Sequence, residues 1–448
     1  MRIQLAAVGG VLCLALLVPT GASASPRIQN GVQDDAWLLY GPEAPAKRIQ
    51  TLQRLGVDVV RLTLRWDTVA QAVPDDPRDP DDPAYDWELY DSILQRLRAA
   101  HISVLVSLWG TPPWANGEEG PNYVPNAASA LASFAYAASK KYPWITRWTV
   151  WNEPNVRLFL IPNSPRLYVT RLLNPTYRAL KAANRRNLVA GGVTSPRKTP
   201  SGVSPIAWIR GMRAAHALLD AYAQNPYPVR PGETPSSGGC WRCTEITMAT
   251  LPKLIAEVKR RFGIRTRIWL TEYGYNSKPP SKWLGVPNSL QARYVGEAAL
   301  RAYLAPRVDL LIHFLVRDEP NARRWTSGFY TSRGRVKPSF SAYQLPLAQV
   351  SRRGKRTTVW GQVRPRFGRQ PYRLQKFNSG RWQWVGRTQL TTRNGFLRRV
   401  VSAGPGSRVR IWSPRDRRYS IVVTISQGAG RAPAAWPHRI ATAWSTGT

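Results

Sequence analysis

Between residues 26 and 347 the chain repeatedly alternates short apolar runs with longer stretches of helical periodicity. Runs rich in Val, Ile, Leu, Trp and Tyr are predicted as strands at 36–40, 58–64, 102–108, 147–151, 188–192, 219–223, 267–271 and 309–314. The intervening segments 46–55, 86–100, 127–141, 167–185, 206–215, 246–262 and 290–303 read as helices. In the first of them Ile49, Leu52 and Leu55 form one apolar stripe, and Gly56 ends it. Eight strand–helix units predict an α/β chain closed into a (β/α)8 TIM barrel, with an open doubly wound sheet as the alternative. No glycine-rich phosphate loop follows the first predicted strand, which argues against a nucleotide-binding open sheet.

Near residue 348 helical spacing gives way to short strands at 357–363, 372–377, 382–388, 396–401, 407–412 and 420–425, with turns at Gly380, Asn394-Gly395 and Gly404-Pro405-Gly406. This predicts a small all-β, immunoglobulin-like sandwich over 350–426, then a loose tail at 427–448. From Val350 onward, 21 Lys and Arg face a single acid, Asp416, within a chain of net charge +38. Such a field attracts polyanions, anionic cell-wall polymers among them. The bland reading, an arginine-rich composition from a GC-rich genome, stays open beside it.

At the other end Arg2 precedes an apolar run from Leu5 to Val18, and Ala22-Ser23-Ala24 offers a small-residue cleavage site. Residues 1–24 are therefore expected to be a signal peptide, and the mature protein a secreted, extracellular or wall-associated one with no membrane span. Export also makes nucleic acid an unexpected partner. Cys13 leaves with the signal, so Cys240 and Cys243 are left as a pair within a loop. A disulfide pinning that loop is the plain reading; a redox motif or half a zinc site are the alternatives. With four histidines and no second cysteine pair, neither a metal site nor a cofactor is expected.

The chemistry sits at strand tips. Glu153 ends the fourth predicted strand because Pro154 cannot join a ladder and keeps the residue before it out of the right-handed helical region. Glu272 ends the seventh. A closed barrel brings both tips to one mouth, and two facing carboxyls are the equipment of glycoside hydrolysis. The bland reading of Glu153 alone is an ordinary acid at a strand–loop junction. Arg61 on the second strand is the candidate cation that keeps one carboxyl ionised. Trp66, Trp109, Trp114, Trp151, Tyr227, Tyr273 and Tyr275 crowd the same ends, some as stacking platforms for sugar rings and some as barrel packing.

Trp151-Asn152-Glu153-Pro154-Asn155 together with Trp269-Leu270-Thr271-Glu272-Tyr273-Gly274 resembles the retaining glycoside hydrolases of clan A, in particular the cellulase-type family 5 and family 39. The likeness spans roughly residues 35–345. It implies Glu153 as general acid/base, Glu272 as nucleophile, Asn152 as donor to the sugar 2-hydroxyl, Arg61 as the arginine beside the nucleophile and Tyr227 as the strand-six tyrosine. Trp66, Trp109, Asn225 and Tyr273 complete the expected substrate-binding set. The chain departs from family 5 in carrying Asn225 where His-x-Tyr is common, Trp109-Gly110 where histidine often ends strand three, and Phe314 where a platform tryptophan often ends strand eight. Arg317, just beyond, is expected to pair with Asp318 or Glu319, with contact to an acidic sugar as the alternative. The function implied is a secreted retaining glycosidase acting on a glycan. The alternative is a non-catalytic carbohydrate-binding or wall-attachment protein on a barrel scaffold.

Overall fold

The structure, a computed structural model, describes residues 25–281, 284–321 and 324–426; the expected signal peptide and tail lie outside them. Eight parallel strands close a barrel in chain order: β1 (Gln29–Gln33), β2 (Val59–Arg65), β3 (Ser103–Trp109), β4 (Arg147–Val150), β5 (Leu188–Thr194), β6 (Ala221–Gln224), β7 (Arg267–Tyr273) and β8 (Val308–Phe314). Closure is made by β1, which pairs with both β2 and β8.

The first strand is a correction. Residues 36–40 are not a strand but most of the helix Asp35–Tyr40, capped by the Asp34 side chain, which accepts from Trp37 N at 3.0 Å. The true β1, Gln29-Asn30-Gly31-Val32-Gln33, is polar because its side chains bond within the protein: Asn30 to Gln362, Gln33 to Arg61. Gly31 is required there, since a Cβ would meet Val59 O at 2.3 Å and Ile312 Cδ1 at 2.5 Å.

Period-two alternation sends one set of residues into the barrel. Val59, Leu105, Ala190, Ala221, Ala223, Trp269, Leu310 and Ile312 fill its interior. Ala223 lies in register with Trp269, so a small residue makes room for the largest one. The other set packs against the helices in a large outer core. Each fully buried aliphatic side chain there contributes about 1.5–3 kcal/mol.

The chain then forms two antiparallel sheets. One has the order β13-β10-β9, from β9 (Leu347–Arg353), β10 (Arg356–Gln362) and β13 (Phe396–Ser402). The other has the order β12-β11-β14-β15, from β11 (Pro371–Asn378), β12 (Arg381–Leu390), β14 (Arg408–Ser413) and β15 (Arg418–Tyr419), with β16 (Val423–Thr424) also on β14. β9 has no counterpart in the sequence reading and begins at Leu347, at the end of the expected barrel segment. Of the strand expected at 420–425 only β16 forms, and β15 lies just before it. Val359, Leu374, Leu397, Val409 and Ile411 fill the space between the sheets.

The sandwich is fixed to the barrel's N-terminal end. Arg366 pairs with Asp58, just before β2, at 2.7 Å; Arg364 donates to Tyr343 O at 3.0 Å; Tyr303 packs on Trp360 and Phe396. Cys240 and Cys243 are joined by a disulfide with Cα atoms 5.4 Å apart. Lys253 Nζ donates to the carbonyl oxygens of Cys240 and Glu245 at 3.0 and 3.1 Å, tying the cysteine loop to the helix Leu251–Phe262. Among the described residues no helix is long and apolar enough to cross a membrane.

Candidate active site

On β2 the alternation that points Val59 inward also points Arg61 inward, one layer higher. Arg61 is fully buried, and its Nη1 donates to Glu272 Oε1 and Gln33 Oε1. Its Nη2 donates to Ser107 Oγ at 3.0 Å and Asn152 Oδ1 at 2.9 Å. One guanidinium thus ties together the tips of β1, β3, β4 and β7.

Beyond β4 the backbone turns sharply. Trp151 and Glu153 have φ of 71° and 40°, left-handed values that a non-glycine residue holds at a cost of order 1–3 kcal/mol each. The turn is held from both sides. Trp151 N donates to Leu108 O and Glu153 N to Val193 O, both at 2.9 Å, while Asn155 Oδ1 accepts from Ser195 N at 2.8 Å. The Trp151 ring is fully buried, with its indole N–H on Phe159 O. Glu153 is therefore aimed at the barrel axis by neighbours on β3 and β5.

Glu272 reaches the same axis by an irregularity. The β7–β8 register shifts between Leu270 and Tyr273, so Thr271 and Glu272 both serve the interior while Tyr273 faces outward. Glu272 Oε2 accepts from the Tyr227 hydroxyl at 3.0 Å. Glu153 Oε1 accepts from Asn225 Nδ2 at 3.0 Å, and Asn225 is oriented by Thr271 Oγ1, which donates to its Oδ1 at 2.8 Å. Asn225 thus stands between Thr271 and Glu153.

The two carboxyls are unequally partnered. Glu153 is pushed up to about 7 by burial first and the negative charge of Glu272 second, against the weaker pull of Asn225, Arg61 and Ser195. Burial also raises Glu272, but Arg61's charge and hydrogen bond and the Tyr227 hydroxyl all favour its ionised form. With one proton between them, the carboxyl that owns the arginine ionises first, and Glu153 keeps the proton. Tyr227, held well above its usual range by burial and by Glu272, stays protonated as a donor.

Both carboxyls open onto a cleft of about 1160 Å³ whose walls include Trp109, Tyr227, Phe314 and Trp325. Tyr227 and Trp325 pack with ring centroids 4.7 Å apart, and Phe314 stands edge-on to both. Trp109 lies under the Arg65 guanidinium at 4.7 Å, and Arg65 is held by Asp67. Arg157 and Arg197 line one side, after β4 and β5; Arg324 lines the opposite side, after β8. No ion pair joins any of these three to a carboxylate among the described residues.

Of the residues singled out in the sequence, Arg61, Trp109, Asn152, Glu153, Asn225, Tyr227 and Glu272 come together. Trp66 does not. It is buried outside the barrel, stacked on Phe134 and edge-on to Trp114, because it opens a helical turn whose outer side faces the helix layer. Tyr273 is also absent from the cleft, packed beneath Tyr275 on the outer face of β7. Trp114, Trp151 and Tyr275 spend their polar atoms on backbone carbonyls and are packing residues. Arg317 pairs with Glu43 at 3.2 Å rather than with Asp318 or Glu319, and Asp318 is held by the buried Lys337 at 3.0 Å.

The sequence reading missed Trp325, Gln33, Ser107, Thr271 and Ser195. Ser107 had a signal, since it shares the inward parity of Leu105 and Trp109 on β3. Trp325 had none, being far out in the loop after β8. Lys337 anchors that loop, donating to Asp318, Ser277 Oγ and Thr326 O beside Trp325.

No protein-family sequence model and no curated protein matches the chain. Among solved structures it is similar to a family 39 glycoside hydrolase from the gut symbiont Bacteroides cellulosilyticus WH2, at 18% identity over 84% of this chain and 80% of that one, with a TM-score of 0.57. It is similar also to the family 39 enzyme from Xanthomonas axonopodis pv. citri, at 14% identity over 85% and 93% of the two chains, TM-score 0.55. A hyperthermophilic β-glucosidase mutant matches at 12% identity over 71% and 99%, TM-score 0.50. At these identities the likeness is one of fold: a closed parallel barrel, joined in the family 39 neighbours by a β-sandwich.

Proposed function

We propose that this chain is a secreted retaining glycoside hydrolase that cleaves O-glycosidic bonds of a polysaccharide or oligosaccharide. One observation carries the reading: a buried and a half-buried carboxyl share a cleft, the first holding an arginine and a tyrosine hydroxyl, the second only neutral donors. That asymmetry separates an ionised nucleophile from a protonated acid. In the first step Glu272 attacks the anomeric carbon while Glu153 gives its proton to the departing glycosidic oxygen. In the second, Glu153 takes a proton from water, the water oxygen bonds to the anomeric carbon, and the Glu272–sugar bond breaks. Asn152 has its Oδ1 engaged by Arg61, which leaves its amide N–H groups for the sugar 2-hydroxyl. Arg157, Arg197 and Arg324, on opposite sides of the cleft and without a carboxylate partner among the described residues, favour glycans bearing acidic groups on either side of the cleaved bond. Secretion rests on Arg2, the apolar run after it and Ala22-Ser23-Ala24.

The test is a panel of neutral and acidic glycans, followed by a pH profile on whichever is cleaved. kcat/KM should fall at low pH as Glu272 takes up a proton, and fall again above about 7 as Glu153 loses its own. Glu153→Gln should abolish the basic limb and slow substrates with poor leaving groups most. A basic limb that persists unchanged in that variant would assign the proton donor elsewhere. Tight binding with no product from any glycan would favour the non-catalytic alternative.

A further inference from the structure

The two sheets of the sandwich have different outer faces. That of β13-β10-β9 is turned to the barrel, with Trp360 and Phe396 against Tyr303. That of β12-β11-β14-β15 lies on the far side, uncovered by any described part of the chain. Alternation sends Leu374, Val409 and Ile411 inward and leaves Arg373 and Phe377 (β11), Trp382 and Trp384 (β12), Arg408, Arg410 and Trp412 (β14) and Tyr419 (β15) on the outer face. The register makes this a lattice. Phe377 lies opposite Trp382, Arg373 opposite Trp412, Gln375 between Trp384 and Arg410, and Trp412 opposite Tyr419.

Guanidinium groups and rings interleave across it. Arg410 is held between Trp382 at 4.1 Å and Tyr419 at 3.8 Å, with its Nε on Gln375 Oε1 at 2.8 Å. Arg373 lies 4.0 Å over Trp384, and Arg408 3.7 Å over Phe377. Trp384 is 42% exposed and Tyr419 36%. Stacking fixes each guanidinium plane without using its Nη donors, and among the described residues no hydrogen bond takes up the Nη groups of these three arginines. The only acid after Val350, Asp416, is engaged by Ser413 and Arg418. An arginine-rich composition would scatter these charges; it does not explain three of them stacked in register on rings. The opposite sheet bears exposed arginines too, Arg353, Arg356 and Arg398, with no ring stacked on them among the described residues.

We propose that the outer face of the β12-β11-β14-β15 sheet is a second glycan-binding site, which takes an acidic polysaccharide: its carboxylate or sulfate groups on the aligned guanidinium edges, its sugar C–H groups against the exposed edges of Trp384 and Tyr419. The sandwich is fixed to the N-terminal end of the barrel, and the cleft opens at the C-terminal end, so the face does not extend the cleft. It anchors the protein to a polymer rather than feeding a chain into the catalytic centre.

Affinity electrophoresis of the full chain in polygalacturonate and in neutral β-glucan, at about 50 and about 300 mM salt, tests this. Two triple variants remove the same charge: R373Q/R408Q/R410Q on the face, R353Q/R356Q/R398Q on the other sheet. Polygalacturonate should bind the parent chain and its affinity should fall about tenfold or more in the first variant and less than about threefold in the second. W382A/W384A should also weaken binding about tenfold, with hydrolysis of a small glycoside unchanged in all three. Equal losses in the two arginine variants would reduce the effect to net charge and overturn the site. Equal binding of neutral glucan, or tighter binding of single-stranded DNA than of polygalacturonate, would overturn the assigned ligand.

Discussion

Glu272→Ala should lower turnover of an activated aryl glycoside on the order of 10⁴- to 10⁶-fold and leave the fold intact. The expected loss is large because the proposed mechanism has Glu272 form and break the bond to the anomeric carbon, and no neighbour is placed to replace it. Arg61 and Tyr227, which hold it, are both donors. Stability should fall by about 3–5 kcal/mol, because alanine leaves the buried Arg61 guanidinium without its carboxylate. Azide fits the space left by the carboxymethyl group and should restore turnover. It attacks from the same face as Glu272, so the product is a glycosyl azide of anomeric configuration opposite to the substrate. Product configuration by proton NMR checks this, and unimpaired hydrolysis by the variant would refute the role of Glu272.

Arg61→Met should be nearly as damaging, by a different route. It strands Glu272 in the barrel without its cation, and breaking a buried pair from one side costs about 3–5 kcal/mol. The pH dependence identifies the cause. Without Arg61 the folded-state pKa of Glu272 rises further above its unfolded value. The folded state then binds the proton more tightly, so the protonated form suffers least at low pH, and stability is lost progressively as pH rises through the folded pKa. Urea unfolding should therefore show the variant closest to the parent near about pH 5 and furthest from it near about pH 8. The acid limb of kcat/KM should move up in pH by the same linkage. A pH-independent stability difference would mean that Arg61 acts through packing and its bonds to Ser107 and Asn152 instead.

Why these residues were visible in the sequence follows from barrel geometry. A strand that ends in Glu-Pro delivers an acid to the mouth whatever the rest of the chain does, and strand parity then places Arg61 beside it. Parity is also where the reading failed. Strict alternation from Trp269 and Thr271 would turn Tyr273 to the axis and Glu272 away from it, and the register shift between Leu270 and Tyr273 reverses the two. Trp66 follows a strand of known parity but opens a helical turn, where a period of two no longer applies. β1 was invisible because Asn30 and Gln33 find polar partners inside the protein, which removes the apolar signal; the run at 36–40 that imitates a strand is the buried side of a capped helix. Trp325 was unreadable because its position is set by Lys337 and Asp318, a tertiary contact with no local pattern.

These particulars fit one division of labour. The barrel's C-terminal end holds the proposed active site, with neutral donors around Glu153 and a cation on Glu272. Its N-terminal end carries the sandwich, with the charged lattice turned outward. A purely structural role for Arg61 and Asn225 would not require each to touch a different carboxyl of the same pair.

The most direct test of that account is to trap the intermediate. A 2-deoxy-2-fluoro glycoside with a good leaving group, matched to whichever sugar the protein releases, slows the second step more than the first. Mass spectrometry of the digested protein should then find one sugar on the peptide containing Glu272, in stoichiometric yield and absent from Glu272→Ala. A sugar on any other residue, or no adduct together with a product of inverted anomeric configuration, would contradict it.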